Sequence, residues 1–116
     1  MKVEELIEKE QKMISEIKSK FSNARKFNKT KIKNIPEQKP ILYRLQNNAG
    51  DELYDGVAKR GRAQERLQEH LTLKKEKIPG ATKVKFAQFS SIVEAKKAEK
   101  QLIKKLEPRF NKQNKY

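Results

Sequence analysis

The sequence predicts an α/β domain in which a small three-stranded antiparallel or mixed sheet is flanked by helices, with an N-terminal helical extension. Three short runs rich in β-branched and aromatic residues lie between turn signals, as strands do. Three longer segments repeat their apolar residues at helical spacing. A chain of 116 residues is long enough for one domain with a modest core.

The first segment, from Met1 to about Phe27, is predicted to be an amphipathic helix. Its apolar residues recur close to a helical period and are Val3, Leu6, Met13, Ile14, Ile17, Phe21 and Ala24. Acidic residues lead and basic residues follow, which complements the helix dipole. The apolar face needs a partner, which is the body of the same domain, a second copy or another protein. The sequence leaves this choice open.

Residues 28–40 mix lysine, asparagine and two prolines without any periodicity, and we interpret them as a basic linker. The chain is therefore predicted to have two parts. Residues 1–39 form an amphipathic helix plus linker, and residues 40–116 form the compact domain.

A β-hairpin is predicted at the start of the compact domain. Residues 41–45 and 52–58 are two strand-like runs separated by the turn-rich sequence NNAGD. Alternation places Tyr43 on one face of the first strand and Tyr54 with Gly56 on one face of the second. A glycine inside a strand indicates that another group approaches the backbone closely there.

A helix, a third strand and a final helix follow. Ala63, Leu67, His70 and Leu71 form a core stripe, and Arg62 and Arg66 lie one turn apart on a neighbouring face. Residues 83–89 alternate as a strand should. Ser91 and Glu94 fit the capping box that opens a helix over residues 91–106, which Pro108 cannot continue.

The last helix carries one carboxylate in an unexpected place. Glu99 lies one turn after Ala95 and one turn before Leu102, on the stripe that should meet the core. A buried carboxylate is costly unless it is paired, hydrogen-bonded or bound to a metal. Glu99 is therefore a candidate metal ligand, and the ordinary alternative is a glutamate at the edge of the stripe whose head reaches water.

Composition restricts the partners. The 29 basic against 15 acidic residues give a net charge of +14, which points to a polyanion and first to nucleic acid. No run is apolar enough to span a bilayer and the N-terminus lacks a signal-peptide core, so we expect a cytoplasmic protein without a membrane partner. With no cysteine and one histidine, any metal should be a hard, oxygen-bound cation such as magnesium.

The order of these motifs over residues 41–111 resembles the GIY-YIG nuclease family, which includes the nuclease domain of a bacterial excision-repair subunit and small stand-alone members. ILY, ending at Tyr43, stands where the family has GIY, and LYDG, ending at Gly56, stands where it has YIG. Arg62 is the better match to the family arginine and Arg66 the second. The stretch EAKKAEKQLIKKLEPRFN is very similar to the C-terminal signature, in which Glu99 matches the metal-binding glutamate and Asn111 the asparagine.

This resemblance implies a DNA endonuclease that hydrolyses phosphodiester bonds with one Mg²⁺ or Mn²⁺ held mainly by Glu99. Tyr43 and Tyr54 would activate or orient the attacking water, and Arg62 would neutralise charge that grows on the phosphate. The supporting residues that it implies are Gly56, Lys59, Arg66, His70 and Asn111.

Three positions depart from the family pattern. Ile41 replaces a glycine, Val57 stands where many members have a lysine, and Asp55 replaces an apolar residue. Lys59 or Arg60 would have to supply the missing positive charge. Asp55 lies on a strand face that looks buried, so the strand is locally exposed, or the carboxylate has a cationic partner, or it was introduced into an ancestor with a hydrophobic residue.

These departures keep other functions open. The second candidate is a nucleic-acid-binding module on the same fold that has lost cleavage. A third is a basic RNA-binding protein of ribosomal type, which accounts for the charge but leaves Glu99 and the motif order without a role.

Overall fold

The computed structural model describes residues 3–111. Met1, Lys2 and residues 112–116, which the sequence assigned to the first helix and to the end of the domain, lie outside the described residues, as does the side chain of Leu6. The described elements are α1 Val3–Ser19, β1 Arg25–Lys26, α2 Lys29–Ile32, β2 Ile41–Gln46, β3 Glu52–Ala58, α3 Ala63–Thr72, β4 Lys83–Gln88 and α4 Ile92–Leu106. Over residues 3–111, no helix has the length and apolar character needed to cross a membrane.

The α/β fold class is confirmed, with one difference in strand number. The sheet is antiparallel, has the order β1-β4-β2-β3, and therefore contains four strands rather than three. The additional strand, β1, is only two residues long and pairs Arg25 with Val84 at one edge. Two residues in a basic stretch carry no alternation, so the sequence pattern could not reveal this strand.

The segment interpreted as a basic linker instead contributes to the core. Asn28 caps the short helix α2, its Oδ1 accepting a hydrogen bond from the backbone N–H of Lys31 at 2.9 Å. Ile32 and Ile35 are fully buried against the sheet. Two isolated isoleucines do not make a periodic pattern, yet they are enough to hold the segment in place. The boundary between two parts of the chain near residue 40 stays a prediction.

The two faces of the sheet are covered by different helices. The face that carries Tyr43 packs on α2 and α3, with the buried residues Ile32, Ile35, Ile41, Leu45, Ala63 and Leu67. The other face packs on α4 and on the C-terminal half of α1, with the buried residues Ile14, Leu42, Ala87, Ala95, Ala98 and Leu102. The helix α1 ends at Ser19 rather than near Phe27, and part of its apolar stripe contacts the body of the domain.

Candidate active site

The hairpin of β2 and β3 brings the two predicted tyrosines together. Tyr43 is the cross-strand neighbour of Gly56, Tyr54 lies on the same face, and their ring centroids are 6.3 Å apart. A Cβ atom at position 56 would lie 2.5 Å from Cζ of Tyr43, much closer than atoms tolerate. The group that approaches the backbone of Gly56 is therefore the Tyr43 ring, and only glycine leaves room for it.

A histidine on α3 binds the first tyrosine. The hydroxyl of Tyr43 lies 2.8 Å from Nε2 of His70, and Nδ1 of His70 lies 2.6 Å from the carbonyl oxygen of Glu76. Because a carbonyl only accepts hydrogen bonds, we assign the ring proton to Nδ1, and Nε2 then accepts from the Tyr43 hydroxyl. Burial lowers the pKa of His70, which favours this neutral form.

Arg66 is the cation that faces both tyrosines. Its guanidinium is held by Glu69, with Nη1 and Oε1 2.7 Å apart, and by Glu76, with Nη2 and Oε2 3.2 Å apart. Burial raises the pKa of Tyr43 and of Tyr54, and the charge and hydrogen bonding of Arg66 oppose both rises. Both phenols are therefore neutral near neutral pH, with a partly exposed guanidinium beside them.

Arg62, which the sequence ranked above Arg66, is placed differently. It precedes the first residue of α3, is largely exposed, and pairs with Glu65 at 2.9 Å. Arg62 and Lys59 line a surface depression that Arg66 also borders, so they lie near the site but outside the group around the tyrosines. The geometry favours Arg66 for a role in contact with the tyrosines.

The helix α4 carries Glu99 to the same region. Ser91 caps the helix as the sequence predicted, its Oγ accepting a hydrogen bond from the backbone N–H of Glu94 at 3.2 Å. Burial raises the pKa of Glu99 to about 7, the charge of Asp55 adds to the rise, and Lys96 opposes it. The charge of Glu99 also raises the pKa of both tyrosines, so its carboxylate lies within electrostatic range of the two phenols.

The Glu99 carboxylate fits a hard divalent cation. It is half-buried in a depression along α4, and within residues 3–111 no side chain donates a hydrogen bond to it. Carboxylate oxygen is the ligand that Mg²⁺ prefers, and such sites commonly keep several waters. The described residues contain no group of three or more acidic or histidine side chains that could hold a metal, so Glu99 would be the main protein ligand.

The buried Asp55 has a cationic partner, which is one of the three alternatives that the sequence left open, and the partner is Arg44. Its Oδ1 lies 3.0 Å from Nε of Arg44, and the same nitrogen lies 3.2 Å from Oε2 of Glu52. Because Asp55 is fully buried, the alternative of a locally exposed strand is excluded. The signal was present in the hairpin, since its register pairs Arg44 with Asp55.

Asn111 fixes the outer edge of β3. Its Oδ1 accepts a hydrogen bond from the backbone N–H of Asp55 at 2.7 Å, and its Nδ2 donates to the Asp55 carbonyl at 2.9 Å. These bonds replace those that a further strand would make. Asn111 is therefore placed to hold the hairpin rather than to touch the tyrosines.

The fold and the site together define a class of protein. A four-stranded antiparallel sheet presents two tyrosines on adjacent strands, one flanking helix adds an arginine and a histidine, and the C-terminal helix adds a glutamate. This is the layout of a GIY-YIG domain.

Comparison with solved structures supports this assignment. The chain is similar to the GIY-YIG N-terminal endonuclease domain of UvrC from Thermotoga maritima bound to its catalytic divalent cation, magnesium. The two are 30% identical with a TM-score of 0.58, over 70% of this chain and 96% of that domain. A variant of the same domain with an asparagine replaced by alanine gives 29% identity and a TM-score of 0.57, over 69% and 93% of the two chains.

The chain belongs to the GIY-YIG endonuclease domain family. No model of a protein family matches the sequence, and neither does any curated protein.

Proposed function

We propose that this protein is a metal-dependent endonuclease that hydrolyses phosphodiester bonds in DNA. The observation that carries the proposal is the position of Glu99, a half-buried carboxylate without a hydrogen-bond donor among the described residues, whose charge acts on two tyrosines that also face Arg66. Membership of the GIY-YIG family supports it, because the solved relative is an endonuclease domain with a catalytic magnesium ion.

Glu99 would hold Mg²⁺, or Mn²⁺ in its place. When bound, the cation would polarise the scissile phosphate and stabilise the leaving oxygen. Ionised Glu99 is needed for this, and the positive charge of Lys96 favours ionisation against the effect of burial. The remaining chemistry falls to side chains of the hairpin and α3.

The tyrosines and His70 would manage the attacking water and its proton. Tyr54 is only half-buried, so its hydroxyl is the more accessible of the two and would orient the water by a hydrogen bond. The Tyr43 hydroxyl already donates a hydrogen bond to His70, and the lone pairs of its oxygen remain able to accept a hydrogen bond from the water. A proton that leaves the water can then pass to Tyr43 while the original Tyr43 proton moves to Nε2 of His70.

Arg66 would neutralise the charge that grows on the phosphate. Glu69 and Glu76 hold its guanidinium in one orientation, and about a third of the side chain remains exposed, so a phosphate can reach it. A fixed guanidinium fork is suited to a planar pair of phosphate oxygens. We therefore propose Arg66 for the role that the resemblance assigned first to Arg62.

Lysines beside the metal ligand would hold the DNA backbone. Lys96 and Lys100 lie one turn apart along the depression that contains Glu99. Contacts of this kind neutralise phosphates and carry no sequence information. DNA is therefore the proposed partner, and the cytoplasm stays the predicted location.

A binding module without cleavage is the second candidate, and one observation favours it. Position 57 is a valine rather than the usual lysine, and burial raises the pKa of both tyrosines, so neither phenol is readily ionised. The neutral relay from Tyr43 to His70 answers this objection because it needs no phenolate.

The test is cleavage of supercoiled plasmid and of nicked or branched DNA at low salt, with magnesium or manganese and with a chelator. We expect metal-dependent nicking by the wild type, no nicking by Glu99→Gln, and unchanged nicking by the exposed control Glu16→Gln. If the folded wild type binds these DNAs and cuts none of them, the nuclease proposal is wrong for these substrates and the binding module takes its place.

A further inference from the structure

Within residues 3–111, the N-terminal half of α1 leaves apolar side chains largely exposed. Val3 and Ile7 are 70% and 45% exposed, whereas Ile14 and Ile17 in the second half, and Phe21 just after the end of the helix, pack on α4 and the sheet. Met13, in the second half, is 43% exposed. A helix of a water-soluble domain normally keeps its apolar stripe covered. Among the described side chains, the stripe of α1 is thus covered at Ile14 and Ile17 and exposed at Val3 and Ile7.

A groove with matching chemistry lies between α1 and α4. Its apolar wall is formed by Met13 and Ile14 of α1. Its polar border is net basic and consists of Gln101, Lys104 and Lys105 of α4 with Glu10 of α1. The first turns of α1 carry the complement of this surface, since Glu4, Glu5 and Glu8 accompany Val3 and Ile7. One continuous helix cannot fold back into a groove that its own later turns help to form, so a second molecule must supply the occupant.

We propose that two copies of this chain pair through antiparallel α1 helices, each placing its acidic first half in the α1–α4 groove of the other. In this pair the two helices cross at the midpoint between Ile7 and Glu10. Both helices rise by about 1.5 Å per residue, so Val3 of one copy and Ile14 of the other lie at the same distance from that midpoint and face each other. A two-fold axis then makes every contact twice, with both grooves filled.

The charge pattern of α1 selects this direction. The first half of the helix carries Glu4, Glu5, Glu8 and Glu10 against Lys9, and the second half carries Lys12 and Lys18 against Glu16, so the first half is net acidic and the second net basic. In an antiparallel pair each acidic half faces the basic half of the other copy, whereas a parallel pair would oppose like charges. This proposal goes beyond the nuclease proposal and does not depend on it, since pairing is measured without DNA.

The first test is the mass in solution by sedimentation equilibrium at low salt. We expect the wild type to approach twice its chain mass of 13.6 kDa at micromolar concentration. Ile7→Glu should weaken association by at least about tenfold, which is about 1.4 kcal/mol. Val93→Ser removes an equally exposed apolar residue of α4 that does not border the groove, and it should leave the mass unchanged.

A charge-reversal experiment tests the antiparallel arrangement. The variants Glu4→Lys with Glu5→Lys, and Lys104→Glu with Lys105→Glu, should each be monomeric, because like charges then meet in both grooves. In a mixture, the basic half-helix of the first variant meets the acidic groove of the second, and the unaltered acidic half-helix of the second meets the unaltered basic groove of the first. The mixture should therefore form a heterodimer. A wild type that stays monomeric, or a mixture that does not associate, would overturn the proposal.

Discussion

Two neighbouring pairs of residues in the β2–β3 hairpin bury polar groups in opposite ways. On the face toward α3, Tyr43 lies opposite Gly56, and its hydroxyl is neutral and hydrogen-bonded to His70. On the face toward α4, Arg44 lies opposite Asp55, and the two form an enclosed ion pair. A step of one residue along a strand changes the face, so adjacent positions meet different demands.

The comparison separates two ways of stabilising polar groups. The tyrosine finds its partner on a helix 27 residues away, and it borders the region reached by Arg66 and Glu99. The aspartate finds its partner within the hairpin, and neither Arg44 nor Asp55 has a role in the proposed cleavage reaction. Asp55 still acts on the candidate site, because its charge raises the pKa of Glu99.

The largest effect should come from removing the cation of the enclosed pair. Arg44→Met leaves the fully buried Asp55 without a partner and should lower the free energy of unfolding by about 3–5 kcal/mol, measured by urea denaturation. Adding Asp55→Leu should recover most of the loss, because an apolar pair needs no compensating charge. The exposed control Arg60→Met should cost little, and an equal loss in both single variants would show that the ion pair carries no stability.

The next effect concerns the pH dependence of stability. Burial raises the pKa of Asp55 from 3.8 to about 6, Arg44 opposes the rise, and Glu52 adds to it. A carboxyl with a raised folded-state pKa contributes stability that is fully present below its unfolded pKa and is lost as the pH rises through its folded pKa. As the pH falls from about 7 to about 4, the unfolding free energy of the wild type should therefore increase by about 2–3 kcal/mol more than that of Asp55→Asn.

The difference between the two proteins is the quantity to measure, and both should carry Glu99→Gln, because the charge of Asp55 raises the pKa of Glu99 and the contribution of Glu99 would not cancel. His70 titrates in both proteins, and its contribution cancels. Asp51→Asn, at an exposed aspartate, is the matched control and should follow the wild type. A constant difference between wild type and Asp55→Asn across this pH range would contradict the raised pKa.

On the tyrosine face, Gly56→Ala should cost about 1–3 kcal/mol of unfolding free energy and reduce cleavage, because the new methyl group displaces the Tyr43 ring. The two positions should be coupled. In a Tyr43→Leu background the same alanine should cost less by at least about 0.5 kcal/mol, since the ring that it meets is gone. Additive losses would mean that the ring does not occupy the space above Gly56.

The smallest effect on stability should come from the Tyr43 hydroxyl. Tyr43→Phe leaves the buried Nε2 of His70 without its donor and should cost about 1–2 kcal/mol. Loss of the relay should lower single-turnover cleavage by about 100-fold. Tyr54→Phe is the comparison, because its half-buried hydroxyl should affect cleavage with little effect on urea denaturation. Equal stability losses in both variants would contradict the buried hydrogen bond.

Much of the fold could be predicted because it depends on short-range patterns. Alternation and turn residues located the hairpin and β4, and the capping residue Ser91 and Pro108 marked the ends of the last helix. The position of Glu99 on an apolar stripe was visible for the same reason. The strand β1 and the helix α2 were missed because a few residues form them only where an existing sheet and core receive them.

By itself, the sequence determined the order of the elements, the face on which each tyrosine lies and the carboxylate on the last helix. The preference that we propose for Arg66 over Arg62 rests on the tertiary structure alone. The two lie one turn apart, and the packing of Ala63 and Leu67 sets the rotation of α3 against the sheet. The tertiary structure also decided that His70 binds Tyr43. This contact joins residues 27 apart in the chain and on different elements, so its geometry depends on how whole elements pack.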